Sequence, residues 1–125
     1  MKKSLLFIAL AVLSFGATAQ ITPSPFWTNQ NSNFSITSAG IRYMHVVNPN
    51  VVWAVGYNGT VAAANFNEFT RTTNGGASYV SGLIYTSTVT YFPASIEAIN
   101  TDTAWVTSYL VAGNKGAIHR TNNGG

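Results

Sequence analysis

Three features of the sequence predict an all-β fold. Beyond the first twenty residues, apolar side chains fall two apart or in short runs, with no stretch carrying the 3.6-residue period of an amphipathic helix. Those runs are rich in Val, Ile, Thr, Tyr, Phe and Trp, the side chains that fit a pleated surface. Gly, Asn, Pro and Ser interrupt them every few residues, as turns between short strands require.

Taken in order, IRYMHVV (41–47) follows Gly40 and runs into the polar turn NPN, and VVWAVG (51–56) leaves that turn as a strand centred on Trp53. EFTRTT (68–73) follows the loop GYNGTVAAANFN, and SYVSGLIY (78–85) leaves the turn NGG. SIEAI (95–99), TAWVTSYLV (103–111) and GAIHRT (116–121) complete seven predicted strands, the middle one of these centred on Trp105.

The first stretch, MKKSLLFIALAVLSFGATAQ, is of a different kind. Lys2 and Lys3 precede an apolar run too short to span a bilayer, and Ala17-Thr18-Ala19 supplies an A-x-A cleavage site. Residues 1–19 are therefore expected to be a signal peptide removed after Ala19, leaving Gln20 at the new terminus and a secreted or cell-surface product. No cysteine follows the apolar run, which argues against a lipid anchor, and the whole chain has none, so no disulfide framework supports the core.

The formal charge is +3, but Lys2 and Lys3 belong to the leader, so no basic stripe remains to hold phosphates and nucleic acid is excluded as a partner. Charged residues make up 7% of the chain, against about 25% in an ordinary domain. Asn, Thr and Ser must solvate the surface. No later apolar run approaches the ~18 residues a membrane helix needs, so no membrane span is expected.

The strands repeat. MHVVNPNVVWAV (44–55) aligns with IEAINTDTAWVT (96–107), so that Asn48 meets Asn100, Asn50 meets Asp102 and Trp53 meets Trp105. Behind each block comes a second, RTTNGG (71–76) and RTNNGG (120–125), which differ at one position. The small difference in spacing falls in the loop between the blocks, where a repeat array tolerates indels. A period near fifty residues with about four strands each predicts a partial β-propeller of about two four-stranded blades. The first blade is expected over 41–94 and an incomplete second over 95–125. The segment 20–40, with Trp27 and Phe34, is either a ring-closing outer strand or a linker.

The turn TTNGGASY resembles the Asp-box of BNR-repeat propellers, whose pattern is Ser-x-Asp-x-Gly-x-Thr-Trp. Thr72 stands for the Ser, Asn74 for the Asp, Gly76 for the Gly, Ser78 for the Thr and Tyr79 for the Trp. Thr121, Asn123 and Gly125 repeat its first half behind another predicted strand. The preceding VWAVG strand and the run FTRTTNGG are similar to blades of sialidase-like, photosystem II assembly-factor-like, sortilin-like and xyloglucan-hydrolysing propellers, including secreted bacterial multi-domain proteins with type IX sorting. The resemblance covers roughly residues 41–125. It implies that the box is a structural clasp between third and fourth strands, away from the central site. The chemistry agrees: the glycines supply positive φ, Asn74 accepts from amides of its own turn, and the hydroxyls of Thr72 and Ser78 bridge the arms. Tyr79 is expected to fold into the sheet interior.

Candidate chemistry is sparse. The three acids are Glu68, Glu97 and Asp102, too few for the carboxylate pair of a glycosidase to be evident. Asp102 takes a turn position and Glu68 reads as a solvated strand opening. Glu97 is the repeat partner of His45, and both fall midway along the first strand of their blades, where a propeller lines its channel. They are the candidate channel-lining pair. Arg71 and Arg120 belong to the repeat, leaving Arg42 where a sialidase needs an arginine cluster. His45 and His119 have no neighbours at metal-ligand spacing, so no metal and no cofactor is expected. No Gly-rich phosphate loop and no G-x-S-x-G elbow occurs. Trp53 and Trp105, as repeat partners inside strands, are expected in the core.

These readings converge on the N-terminal fragment of a secreted or cell-surface β-propeller with a non-catalytic binding or scaffolding role. Its partner would be an extracellular protein or a glycan, with further blades in the same chain, because two blades do not close a ring. The alternative is the N-terminal part of an Asp-box glycoside hydrolase, sialidase-like or xyloglucanase-like.

Overall fold

The computed structural model describes residues 27–60, 66–86, 91–110 and 115–125. The expected signal peptide at 1–19 lies outside them. The described residues are all β, in two antiparallel sheets with no helix. The first sheet runs β1 (Ala39–Asn48), β2 (Val51–Asn58), β3 (Glu68–Thr72) and β4 (Val80–Leu83), each hydrogen-bonded to the next. The second runs β5 (Phe92–Ala98), β6 (Ala104–Leu110) and β7 (Lys115–Thr121) in the same simple order.

Every predicted strand is present, with shifted ends. β1 starts at Ala39 and β5 at Phe92, both earlier than expected, while β4 is confined to Val80–Leu83 within the predicted 78–85. Strand ends depend on which backbone groups find a partner across the ladder, and residue type alone does not supply that. Phe92 pairs with Tyr109 across the sheet, which extends β5 through Pro93.

The two tight turns are made alike. Asn48 Oδ1 accepts from the amides of Asn50 and Val51 at 2.9 and 3.0 Å, and Asn100 Oδ1 accepts from Asp102 and Thr103 at 2.8 and 2.7 Å. Each Asn thus completes its own turn and satisfies amides the strands leave over.

Register decides the faces. Trp53 stands opposite His45 and Arg71, and Val55 opposite Tyr43 and Phe69, so these share one face of the first sheet. Ile96 stands opposite Val106, which faces His119, and these share a face of the second sheet with Ala98, Ala104 and Thr121. The core forms where the two meet: Val51, Trp53, Val55 and Phe69 pack on Ile96, Ala98, Ala104 and Val106. The stack is head to tail, the Trp-bearing face of one sheet against the small aliphatic face of the next.

The opposite face of the first sheet is covered at its outer strands by residues 30–35, which run across it as a strap. Thr70 Oγ1 donates to Ser32 O at 2.6 Å, Ser81 Oγ donates to Asn33 O at 2.5 Å, and Phe34 meets Phe66 edge-on at 5.1 Å. Glu68, expected to be solvated, is instead buried here and accepts from the Ser35 amide at 2.9 Å and from its hydroxyl. A buried carboxylate needs such donors, and they come from a segment distant in sequence. The described part of 20–40 that precedes β1 forms no strand.

Candidate functional site

The junction of the two sheets gathers most of the residues the sequence singles out. At its inner end His45 Nδ1 on β1 lies 2.7 Å from Glu97 Oε2 on β5. Neighbouring Arg42 reaches Tyr109 on β6, its Nη2 donating to the hydroxyl at 3.4 Å with the guanidinium 5.9 Å from the ring centroid. His45 is half-exposed and Glu97 open to solvent, so both remain accessible to a partner.

At the turn end the first sheet grips the second through Trp53 and Arg71. Trp53, 1% exposed, donates from Nε1 to the carbonyl of Asn100 at 3.0 Å. Arg71 lies over the Trp53 ring, 5.0 Å from its centroid, donates to the carbonyl of Thr101, and approaches Asp102 Oδ1 at 3.8 Å. The cation is thus held between a π face and a turn, and Asp102, assigned only a turn role from the sequence, also faces it. Trp105 and Arg120 repeat the stacking at 5.5 Å. Trp53 is core as expected, whereas Trp105 is half-buried on the outward face of the second sheet.

The turns at 72–78 and 121–125 have matching geometry. Thr72 Oγ1 donates to Asn74 Oδ1 at 2.9 Å and accepts from the amides of Asn74 and Gly76 at 3.3 and 3.0 Å. Asn74 Oδ1 accepts from the Ser78 amide at 3.0 Å while its Nδ2 donates to Ser78 Oγ at 2.9 Å. In the second turn Thr121 Oγ1 donates to Asn123 Oδ1 at 2.8 Å and accepts from the amides of Asn123 and Gly125 at 3.4 and 2.9 Å. Gly75, Gly76, Gly124 and Gly125 all have positive φ. Each turn also ties down its sheet's inner hairpin: Gly75 N donates to Asn50 O at 3.0 Å and Gly124 N to Asp102 O at 2.9 Å. These bonds lie within the turn and its own sheet. Tyr79 departs from expectation. It is half-buried, and its hydroxyl donates to Gln30 Oε1 in the strap at 3.1 Å, away from the core between the sheets.

Toward the outer strands the sheets part around a cleft of about 220 Å³ whose lining includes Trp53, Phe69, Ile84, Val106 and His119. His119 stacks on Tyr85 at 5.1 Å and meets Tyr91 edge-on at 5.7 Å, and its Nε2 is buried without a hydrogen-bond partner among the described residues. Burial holds its pKa below the ordinary imidazole value, so the neutral ring is favoured. Tyr85 donates to the carbonyl of Tyr91 and accepts from its amide at 2.8 Å, and burial raises its pKa.

What this arrangement does chemically is hold surfaces together. Each of the three acids is engaged: Glu68 by Ser35, Glu97 by His45 and Asp102 by Arg71. Among the described residues no group of three His, Cys, Asp or Glu side chains is placed to hold a metal, and no helix is long and apolar enough to cross a membrane. The roles of Trp53 and Arg71 in gripping the neighbouring turn escape sequence reading, although their recurrence as Trp105 and Arg120 is a signal that could have found them. No protein-family model, curated protein or solved structure matches the chain.

Proposed function

We propose that the chain supplies two blades of a secreted or cell-surface β-propeller of the Asp-box type, whose role is to bind an extracellular protein or glycan and not to catalyse. The observation that carries this reading is the recurrence, in two stacked sheets, of one strand order, one Asn-capped turn, one Trp–Arg pair and one box turn. A repeat that stacks each sheet on the next is the building rule of such rings. The His45–Glu97 pair lies where the first strands of the two sheets approach one another, and we assign it to the channel wall. The signal-like leader gives the address.

The non-catalytic reading is preferred because each acid already has a partner, and the chain offers no pair of unengaged carboxylates for glycoside hydrolysis. The test is expression of the full chain in a bacterial host, with N-terminal sequencing of the exported form and screening of that form against immobilised glycans and extracellular proteins beside a reducing-sugar assay. Export with Gln20 first and saturable binding without sugar release is expected. Retention of residues 1–19 in the cytoplasm, or turnover of a glycan abolished by Glu97→Gln, would overturn the reading.

A further inference from the structure

We infer that the cleft bridging the two sheets at the end away from the Asn turns binds a saccharide carrying an anionic group, a carboxylate or a sulfate, which the guanidinium of Arg42 receives while the ring of Tyr57 takes a sugar face. The inference rests on the binding reading above and adds to it a site and a ligand class.

The site begins with a bulge. Ile41 stands opposite Gly56 and Tyr43 opposite Val55, so Arg42 is an extra residue of β1 with no register partner in β2. The second copy of the repeat bulges at the equivalent residue: Pro93 stands opposite Ser108 and Ser95 opposite Thr107, with Ala94 left over. A bulge re-aims the side chain it carries. Because Ala94 serves in the second copy, the fold needs the bulge there and not the guanidinium. That guanidinium lies 6.0 and 5.9 Å from the ring centroids of Tyr43 and Tyr109, and its Nη2 donates to the Tyr109 hydroxyl at 3.4 Å. Most of its N–H donors remain for a ligand, and among the described residues no carboxylate lies within ion-pair distance of it.

The cleft beside it encloses about 500 Å³, and its lining includes Arg42, Tyr57, Asn58 and Phe66 together with Phe92 and Pro93 at the start of β5. Residues of both sheets form its walls, so it does not depend on what covers the outer faces of the stack. Tyr57 is fixed from behind: Gly40 stands opposite it, and a Cβ there would collide with the Tyr57 ring, which therefore lies on bare backbone. In the second copy Phe92 takes the place of Gly40 and stacks on Tyr109, the counterpart of Tyr57, at 5.6 Å. Tyr57 is 44% exposed, and a ring with an apolar face and a hydroxyl tip suits the face of a pyranose. A guanidinium beside it offers a carboxylate or sulfate charge-assisted, forked hydrogen bonds. An isolated anion on a sugar meets both features. A polyanion does not, because the chain has no basic stripe to accompany Arg42.

The test is isothermal titration of the exported full chain with two matched pairs: a xylo-oligosaccharide bearing one glucuronate beside its methyl ester, and a galacto-oligosaccharide bearing one sulfate beside its unsulfated form. A Glu-bearing peptide of similar size is the third arm, and near-ultraviolet circular dichroism checks the fold of every variant. In at least one pair the anionic member is expected to bind about tenfold or more tighter than its neutral twin, with a margin that shrinks as salt is raised. Arg42→Ala, which installs the residue of the second copy, should erase the margin. Arg42→Lys keeps the charge and loses the fork, and should retain part of it. Tyr57→Ala should weaken both members of the pair alike. Equal affinity within both pairs, no binding in either, or a margin that survives Arg42→Ala would overturn the proposal, as would binding of the acidic peptide alone. Each of these leaves the non-catalytic reading standing, whereas release of sugar from any of the four saccharides would sink that reading itself.

Discussion

His45 Nδ1 and Glu97 Oε2 lie 2.7 Å apart, and the two residues occupy the same position in successive copies of the repeat. Equivalence along the chain has become contact between sheets, because β1 and β5 are the first strands of their sheets and lie side by side. Their side chains are 29% and 73% exposed, so solvent screens the pair. A double-mutant cycle with His45→Ala and Glu97→Ala should give a coupling of about 0.2–1 kcal/mol by urea denaturation. If the pair lines the channel, the double variant loses ligand binding out of proportion to this small effect on stability.

The turns that begin at Thr72 and Thr121 differ in burial, and that difference sets what each hydroxyl contributes. Thr72 is 1% exposed and accepts from two turn amides, while Thr121 performs the same task half-buried. Thr72→Val keeps the shape and leaves buried donors unpaired, and should cost about 1–3 kcal/mol in equilibrium unfolding. Thr121→Val should cost less, since water reaches its amides. Equal costs would contradict the burial argument.

Glu68 is the anchor of the strap. Glu68→Ala removes both acceptors that hold Ser35, and amide hydrogen exchange should accelerate over residues 30–36 while β5, β6 and β7 stay protected. Exchange unchanged in the strap would mean that Thr70 and Ser81, which donate to Ser32 and Asn33, suffice to hold it.

His119 makes stability depend on pH. Its pKa is lowered in the fold by burial from the ordinary 6.5, so below that value the unfolded chain binds the proton more readily than the folded one. The contribution is fully present above about 6.5 and is lost as pH falls from there through the depressed folded value. The melting temperature should decline over that acid window, and His119→Phe, which keeps a ring against Tyr85 and Tyr91, should flatten the decline. A variant with wild-type slope would remove His119 as the cause.

The strands, their order and the polar turns between them were legible because their causes are local. β-branched and aromatic runs favour extended chain, Asn48 and Asn100 bond to amides two and three residues on, and the glycines of NGG take the positive φ their turns need. Burial was less legible. Glu68 read as solvated and Tyr79 as core, and both were misjudged for one reason: the strap at 30–35 lies against them, and its position depends on contacts more than thirty residues away in sequence.

By itself, then, the sequence determined an all-β chain of two similar units, because hydrogen bonding within turns and side-chain fit to a pleated surface act over a few neighbouring residues. Only the tertiary structure decided how the units meet. That Trp53 is sealed and Trp105 half-open, that Trp53 and Arg71 together grip Asn100–Asp102, and that His45 finds Glu97 all depend on which face of one sheet lies on which face of the next. Burial and long-range pairing are properties of that packing, and identical local residues take different roles according to whether a neighbouring sheet covers them.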